Sequence, residues 1–186
     1  VDGRAEILIE GHGRFDLPTA LRIAKALEDF NILWLEEPII PDTVEALADL
    51  RSRVKVPLSF GERLYGSWQF RALIESRGAD FVQPDGSHAG GITELRKIAA
   101  IAETHHIPFC PHNPSGPVAN AATLQLAASQ PGFYLLETMA SDVAYRREIC
   151  DETVTLSDGY MSIPDRPGIG VDIDEEQIAR ECSCSH

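Results

Sequence analysis

No apolar run in these 186 residues approaches the roughly 20 that a membrane-spanning helix needs, so no membrane partner is expected. Basic residues are scarce. Sixteen Lys and Arg stand against 29 Asp and Glu, giving a net charge of −13 and a pI near 4.8. A surface of that sign repels nucleic acid and anionic lipid. It leaves room for a small anionic substrate, because a bound metal ion reverses the local field of a site. The opening Val1-Asp2-Gly3-Arg4 has no basic segment followed by an apolar stretch, so no secretory signal is expected. The four cysteines fall at no zinc-site or disulfide-framework spacing, and a reducing cytoplasm is the expected compartment. Cys110, in Ile107-Pro108-Phe109-Cys110, reads as a buried thiol. Cys182 and Cys184 lie in a tail ending at His186; it reads as a frayed, disordered terminus, with soft-metal binding as the alternative.

What is present is a 44% hydrophobic chain in which short apolar runs alternate with longer helix-patterned segments. The runs are 5–10, 32–35, 56–60, 80–83, 107–110 and 133–136. After the first comes Asp16-Leu17-Pro18, an N-cap with proline in the first turn, then Leu17, Leu21, Ala24 and Leu27 at helical spacing. Later helices are expected around Val44–Leu50, from Ser67 onward, after Gly90-Gly91, and from about Val118 to Ser129. Strands alternating with helices require a parallel sheet, because parallel strands need crossover connections. Six βα units therefore predict an α/β fold, a partial TIM-like (β/α)8 barrel over residues 1–142. A whole barrel takes about 250 residues, so six units leave two open sheet edges, and a fragment or completion by partner chains follows. The remaining region, 143–186, includes a turn-rich stretch from Tyr160 to Gly170 that reads as irregular or a hairpin.

An ionisable residue stands at or just beyond the end of each apolar run: Glu10, Glu36, Glu62, Asp85, His112 and Glu137. The steps between them are 26, 26, 23, 27 and 25 residues, one βα unit each. Residues at the carboxyl ends of parallel barrel strands share one rim, where barrel active sites lie. Glu10, Glu36 and Glu62 on adjacent strands would repel one another without a cation, and hard oxygen ligands suit Mg2+, with Mn2+ possible. Asp85 beside His112 fixes the imidazole tautomer and stabilises its protonated form, as a general base requires. Glu137 completes the ring and is placed to contact a substrate oxygen. Taken singly, any strand-end Glu is more often a solvated residue or a helix cap; the joint period is what carries the reading. His12, two residues beyond Glu10, shares its face; a loop histidine is the plainer alternative. His88 reads as a residue lining the site or capping a helix, and His105 and His106 as helix-end residues.

At these positions the sequence resembles the mandelate racemase subgroup of the enolase superfamily. The resemblance runs from Ala5 to Glu137 and continues weakly to Asp174. It is carried by Trp34-Leu35-Glu36-Glu37-Pro38, Gly61-Glu62-Arg63, Gln83-Pro84-Asp85, Ala89-Gly90-Gly91-Ile92-Thr93 and Pro111-His112-Asn113. It implies that Glu36 and Glu62 are the second and third metal ligands, with Glu10 where the family usually has aspartate. It implies a catalytic dyad of His112 and Asp85, and a substrate-carboxylate role for Glu137. His12 sits where acid-sugar dehydratases of the galactonate type carry a general acid. The resemblance further implies an N-terminal capping domain and first barrel strands, neither among these residues, with region 143–186 packing on that cap.

The expected function is metal-dependent removal of the proton alpha to a carboxylate, with loss of water from a sugar acid to give a 2-keto-3-deoxy acid. The expected partners are a small carboxylate substrate and further copies of the chain in a homo-oligomer. Racemisation, epimerisation or cycloisomerisation within the same superfamily stays open, as does a truncated, non-catalytic fragment.

Overall fold

The computed structural model describes residues 5–139, 148–150 and 156–183, with side chains described to residue 180. Four short strands, β1 (Leu8–Glu10), β2 (Trp34–Glu36), β3 (Leu58–Phe60) and β4 (Phe81–Val82), form one parallel sheet in sequence order. Between them run α1 (Leu17–Leu27), α2 (Val44–Arg53) and α3 (Gly66–Glu75), and after β4 come α4 (Gly86–Ala89), α5 (Gly91–Thr104) and α6 (Pro117–Ala127). This is the arc of a barrel, open where further staves would stand. The expected cap of α1 is present, with Asp16 accepting the Thr19 N–H at 2.8 Å.

The register explains why one face of the sheet is chemical and the other structural. Ile9 pairs with Leu35 and Leu35 with Leu58. With Phe60, Val82 and Phe109, these side chains point at the helices and join Ala24, Leu47, Phe70, Leu73 and Ile98 in the main core. Alternate residues face the other way. Glu10 therefore pairs with Glu36, and Glu36 with Ser59, on the face turned from the helices.

The fifth and sixth apolar runs were expected as strands, and each is reduced to a single ladder position. Phe109 bridges Val82 on one side and Phe133 on the other, both in parallel sense. Proline accounts for the break. Pro108 and Pro111 flank the pair Phe109-Cys110, and proline has no N–H to extend a ladder. The chain still follows the barrel path: Cys110 N donates to Val82 O at 2.9 Å, and Tyr134 N to Phe109 O at 3.0 Å.

In the second region a short hairpin, β5 (Leu156–Ser157) and β6 (Tyr160–Met161), begins ahead of the turn-rich stretch and overlaps only its first two residues; residues 162–170 are irregular. Asp158 and Gly159 both have positive φ, 51° and 82°, the tight reverse turn that matches strand twist. Helix α7 (Glu175–Ser183) reaches into the stretch read as a disordered tail; residues 184–186 lie outside the described residues, as does the expected boundary near residue 142.

Gly61 sets the path from β3 into the site. Its φ is 151°, and a Cβ there would meet the Gln83 carbonyl carbon at 2.7 Å. Backbone cannot yield as a flexible side chain does. Gly61→Ala is therefore expected to cost about 1–3 kcal/mol and to move Glu62 outward. Urea unfolding and Mg2+ titration check both effects.

Candidate metal and acid-base site

Three carboxylates come from successive staves. Glu10 ends β1 and Glu36 ends β2, paired across the ladder. Glu62 follows β3 by two residues, returned to the rim by Gly61. One oxygen from each lies within 4.8 Å of the others. Oxygens on opposite sides of Mg2+ are about 4.2 Å apart, twice the usual bond length. The triangle is thus close to the size of one coordination sphere, and the donor set is the hard-oxygen kind that Mg2+ and Mn2+ take.

Electrostatics point the same way. Burial, with the charge of Glu10 adding to it, pushes the Glu36 carboxyl up to about 7. Hydrogen bonds from Gln83 and from Trp34 Nε1, the latter 3.2 Å from Oε2, only partly offset this. A cation among the three carboxylates would offset both the burial of the charge and the repulsion from Glu10. Gln83 also leaves its own Oε1 buried and without a partner among the described residues. The sign of the pH effect follows. A carboxyl whose folded value lies above its ordinary 4.5 favours the fold when protonated, and that contribution is lost as pH rises through about 7. Metal-free protein is therefore expected to lose thermal stability in that window. Millimolar Mg2+ is expected to raise the melting temperature more near pH 8 than near pH 5, as differential scanning fluorimetry would show.

Asp85 and His112 stand on the next two staves. His112 Nδ1 is 2.8 Å from Asp85 Oδ2. Asp85 also caps α4, accepting the Ser87 N–H through Oδ1 at 2.6 Å. Burial works against the Asp85 anion, but the His112 and Ser87 hydrogen bonds outweigh it and hold the carboxyl below its ordinary value. Burial likewise disfavours a proton on His112. The Asp85 hydrogen bond and the charges of Glu137, Asp85 and Glu36 reverse that and raise its proton affinity. The other ring nitrogen, Nε2, is 3.0 Å from Glu62 Oε2 and 3.7 Å from Glu137 Oε2. Glu137 is held in turn by the Asn113 N–H at 3.0 Å.

His12 approaches from the other side. Its Nε2 is 3.7 Å from Glu62 Oε1, and its backbone N–H donates to the Glu10 carboxylate. The two imidazoles thus address the two oxygens of one carboxylate. All seven residues singled out in the sequence meet in this cluster: Glu10, Glu36, Glu62, Asp85, His112, Glu137 and His12. Glu10, Glu36 and Glu137 themselves line a cavity of about 340 Å3, together with Trp34, Gln83, Cys110 and Leu136 among others. The Cys110 thiol is buried as expected, and burial pushes it up to about 12, so it stays neutral. His88 lines the rim, with Nδ1 2.9 Å from Glu62 O and its ring stacked on Tyr65. His105 caps α5, with Nδ1 3.0 Å from Ile101 O.

Several contributors were not singled out in the sequence. Gln83 stands two residues before Asp85 and so shares its face, a signal that period-two spacing carries. Asn113 and Arg63 are each the immediate neighbour of a site residue. Nothing in spacing alone shows that Asn113 donates through its backbone, or that Arg63 reaches across to a neighbouring stave.

The family described as "Enolase C-terminal domain-like" matches residues 1–177. Among curated relatives, a D-galactonate dehydratase from Variovorax paradoxus is 38% identical over 185 residues, covering 96% of this chain and 48% of the relative. A D-xylonate dehydratase from Haloferax volcanii is 32% identical, covering 96% and 43%. Among solved structures, a mandelate racemase/muconate lactonizing enzyme-like protein from Rubrobacter xylanophilus superposes with a TM-score of 0.89 at 37% identity. That match covers 96% of this chain and 46% of the other. The 3,6-anhydro-D-galactonate cycloisomerase from Zobellia galactanivorans gives 0.85 at 30%, covering 94% and 50%. The chain thus spans about half the length of the relatives it matches, and it belongs to the enolase C-terminal domain-like family.

Proposed function

We propose that this chain supplies the metal and acid-base machinery of a hydro-lyase that dehydrates a sugar acid to a 2-keto-3-deoxy acid. The observation that carries the reading is His112. Its Nδ1 rests on Asp85 at 2.8 Å, and its Nε2 stands 3.0 Å from Glu62, within the carboxylate cluster. The dehydratase relatives at 32–38% identity support the reaction class.

Glu10, Glu36 and Glu62 would hold Mg2+ or Mn2+. When bound, the cation offsets the charge that accumulates on the substrate carboxylate as its alpha carbon loses a proton. His112 Nε2 takes that alpha proton, and Asp85 stabilises the imidazolium that results. Glu137 faces the substrate carboxylate as it becomes an enediolate. The carbon–oxygen bond at the beta carbon then breaks. His12 gives its proton to the departing hydroxide, which leaves as water. The remaining enol tautomerises to the ketone, so the net change is loss of one water.

A second reading, epimerisation or cycloisomerisation, draws on the two imidazoles that flank Glu62 and on the likeness to the Zobellia cycloisomerase. The complete gene product, incubated with D-galactonate and D-xylonate in D2O with Mg2+, separates the two by NMR. A 2-keto-3-deoxy product is expected. Deuterium at the alpha carbon with no loss of water would favour epimerisation instead.

A further inference from the structure

We infer that Arg63 is a positioning residue for His12: its guanidinium clamps the His12 turn onto the rim and so sets the imidazole over the carboxylate cluster. The inference rests on the reading of His12 as the acid for the leaving hydroxyl.

The geometry is specific to a two-pronged cation. Nη1 of Arg63 donates to Glu37 Oε2 at 3.0 Å and pairs with Glu62. Nη2 donates to the backbone carbonyl of His12 at 3.3 Å. Glu37 is fully buried, and burial pushes its carboxyl up against the opposing charge of Arg63. Its Oε1 accepts the Gly61 N–H at 3.5 Å, so the anchor for Arg63 is itself tied to the strand.

The turn being held is strained. His12 and Glu37 are both non-glycine residues at positive φ, 52° and 32°. Conformations of that kind persist only where surrounding bonds enforce them. Three backbone bonds join the segments: Gly11 N to Glu36 O at 2.7 Å, Gly13 N to Glu37 O at 2.6 Å and Phe15 N to Pro38 O at 3.1 Å, and Arg14 N closes the turn on Gly11 O at 3.2 Å. All act on the backbone flanking His12. Among the described residues, the contact on the His12 carbonyl itself is the one from Arg63. A guanidinium can reach two acceptors with separate nitrogens in a fixed plane, whereas an ammonium is a point charge. Lysine at 63 keeps the charge beside Glu37 and Glu62 but has one nitrogen where Arg63 uses two, so it is expected to weaken the hold on the His12 carbonyl.

The test uses the complete gene product with Mg2+ and D-galactonate or D-xylonate in D2O, scoring alpha-deuterium incorporation against dehydration. His112 governs the first and His12 the second. Arg63→Lys is expected to raise the ratio of exchange to dehydration at least about tenfold, as His12→Asn does, because a displacement near 1 Å can cost a hundredfold in rate. Mg2+ affinity by calorimetry is expected to stay within about threefold. Arg63→Met, if it folds, is expected to shift the ratio in the same direction and further. An unchanged ratio in Arg63→Lys, where His12→Asn does change it, overturns the inference and leaves the acid role standing. Exchange and dehydration falling together with Mg2+ affinity also overturns it, placing Arg63 in the service of Glu62 alone. If His12→Asn leaves dehydration intact, the acid role itself is wrong, and the inference falls with it.

Discussion

Replacing His112 with asparagine is expected to lower both alpha-proton exchange and dehydration by about 10²–10⁴-fold, the usual worth of a positioned general base. The substitution removes an imidazole that faces Glu62 and Glu137 with one nitrogen and a buried aspartate with the other, which no other histidine among the described residues does. Asparagine is smaller and can keep a contact to Asp85, so the fold is expected to survive. Asp85→Asn is the companion. The amide preserves the shape but supplies no charge to an imidazolium and no preference for the correct tautomer, so a loss of similar size is expected. Magnesium affinity should change little in either variant, because neither side chain belongs to the three-carboxylate cluster. Alpha-deuterium incorporation followed by NMR, with calorimetry of Mg2+ binding alongside, checks the pair. Full exchange in His112→Asn would move the base elsewhere.

The second large effect has opposite signs in two measurements. Glu36→Gln is expected to weaken Mg2+ binding by at least about 100-fold, beyond the 10–100-fold that loss of an outer partner typically costs. The same substitution is expected to stabilise the metal-free protein above pH 7. Glu36 is 8% exposed and its carboxyl stands near 7, so the fold carries a buried negative charge at alkaline pH, close to Glu10. Glutamine keeps the size of that side chain and removes the charge. Thermal melts in the presence of chelator should therefore show the variant above wild type near pH 8, and level with it near pH 5. With excess Mg2+ the order near pH 8 should invert. A site built for structure rather than for a cation would show the same order in both conditions.

Much of this is legible in the sequence. A carboxylate or imidazole recurring once per βα unit states the barrel and its active rim together, because strand ends of a parallel sheet share one side. What spacing could not convey is where each residue leaves the ladder. Glu62 does not end a strand. It lies beyond Gly61, and only that glycine's close approach to Gln83 returns it to Glu10 and Glu36. The runs 107–110 and 133–136 have the apolar content of strands but pair at single positions, since prolines flanking Phe109-Cys110 interrupt the donors. Arg63 and Asn113 stand in segments that carry the resemblance, but their contacts leave no signal in the sequence for a different reason. Each acts across staves, Arg63 on the His12 carbonyl and Asn113 on Glu137, and contacts between distant segments leave no periodic trace.

Anomalous diffraction from the complete protein soaked in Mn2+ is the most direct test. The expected result is one strong peak at bonding distance, about 2.0–2.4 Å, from an oxygen of each of Glu10, Glu36 and Glu62, with His112 beside it. A peak that lacks Glu36 and Glu62, or no peak at saturating Mn2+, would contradict the account.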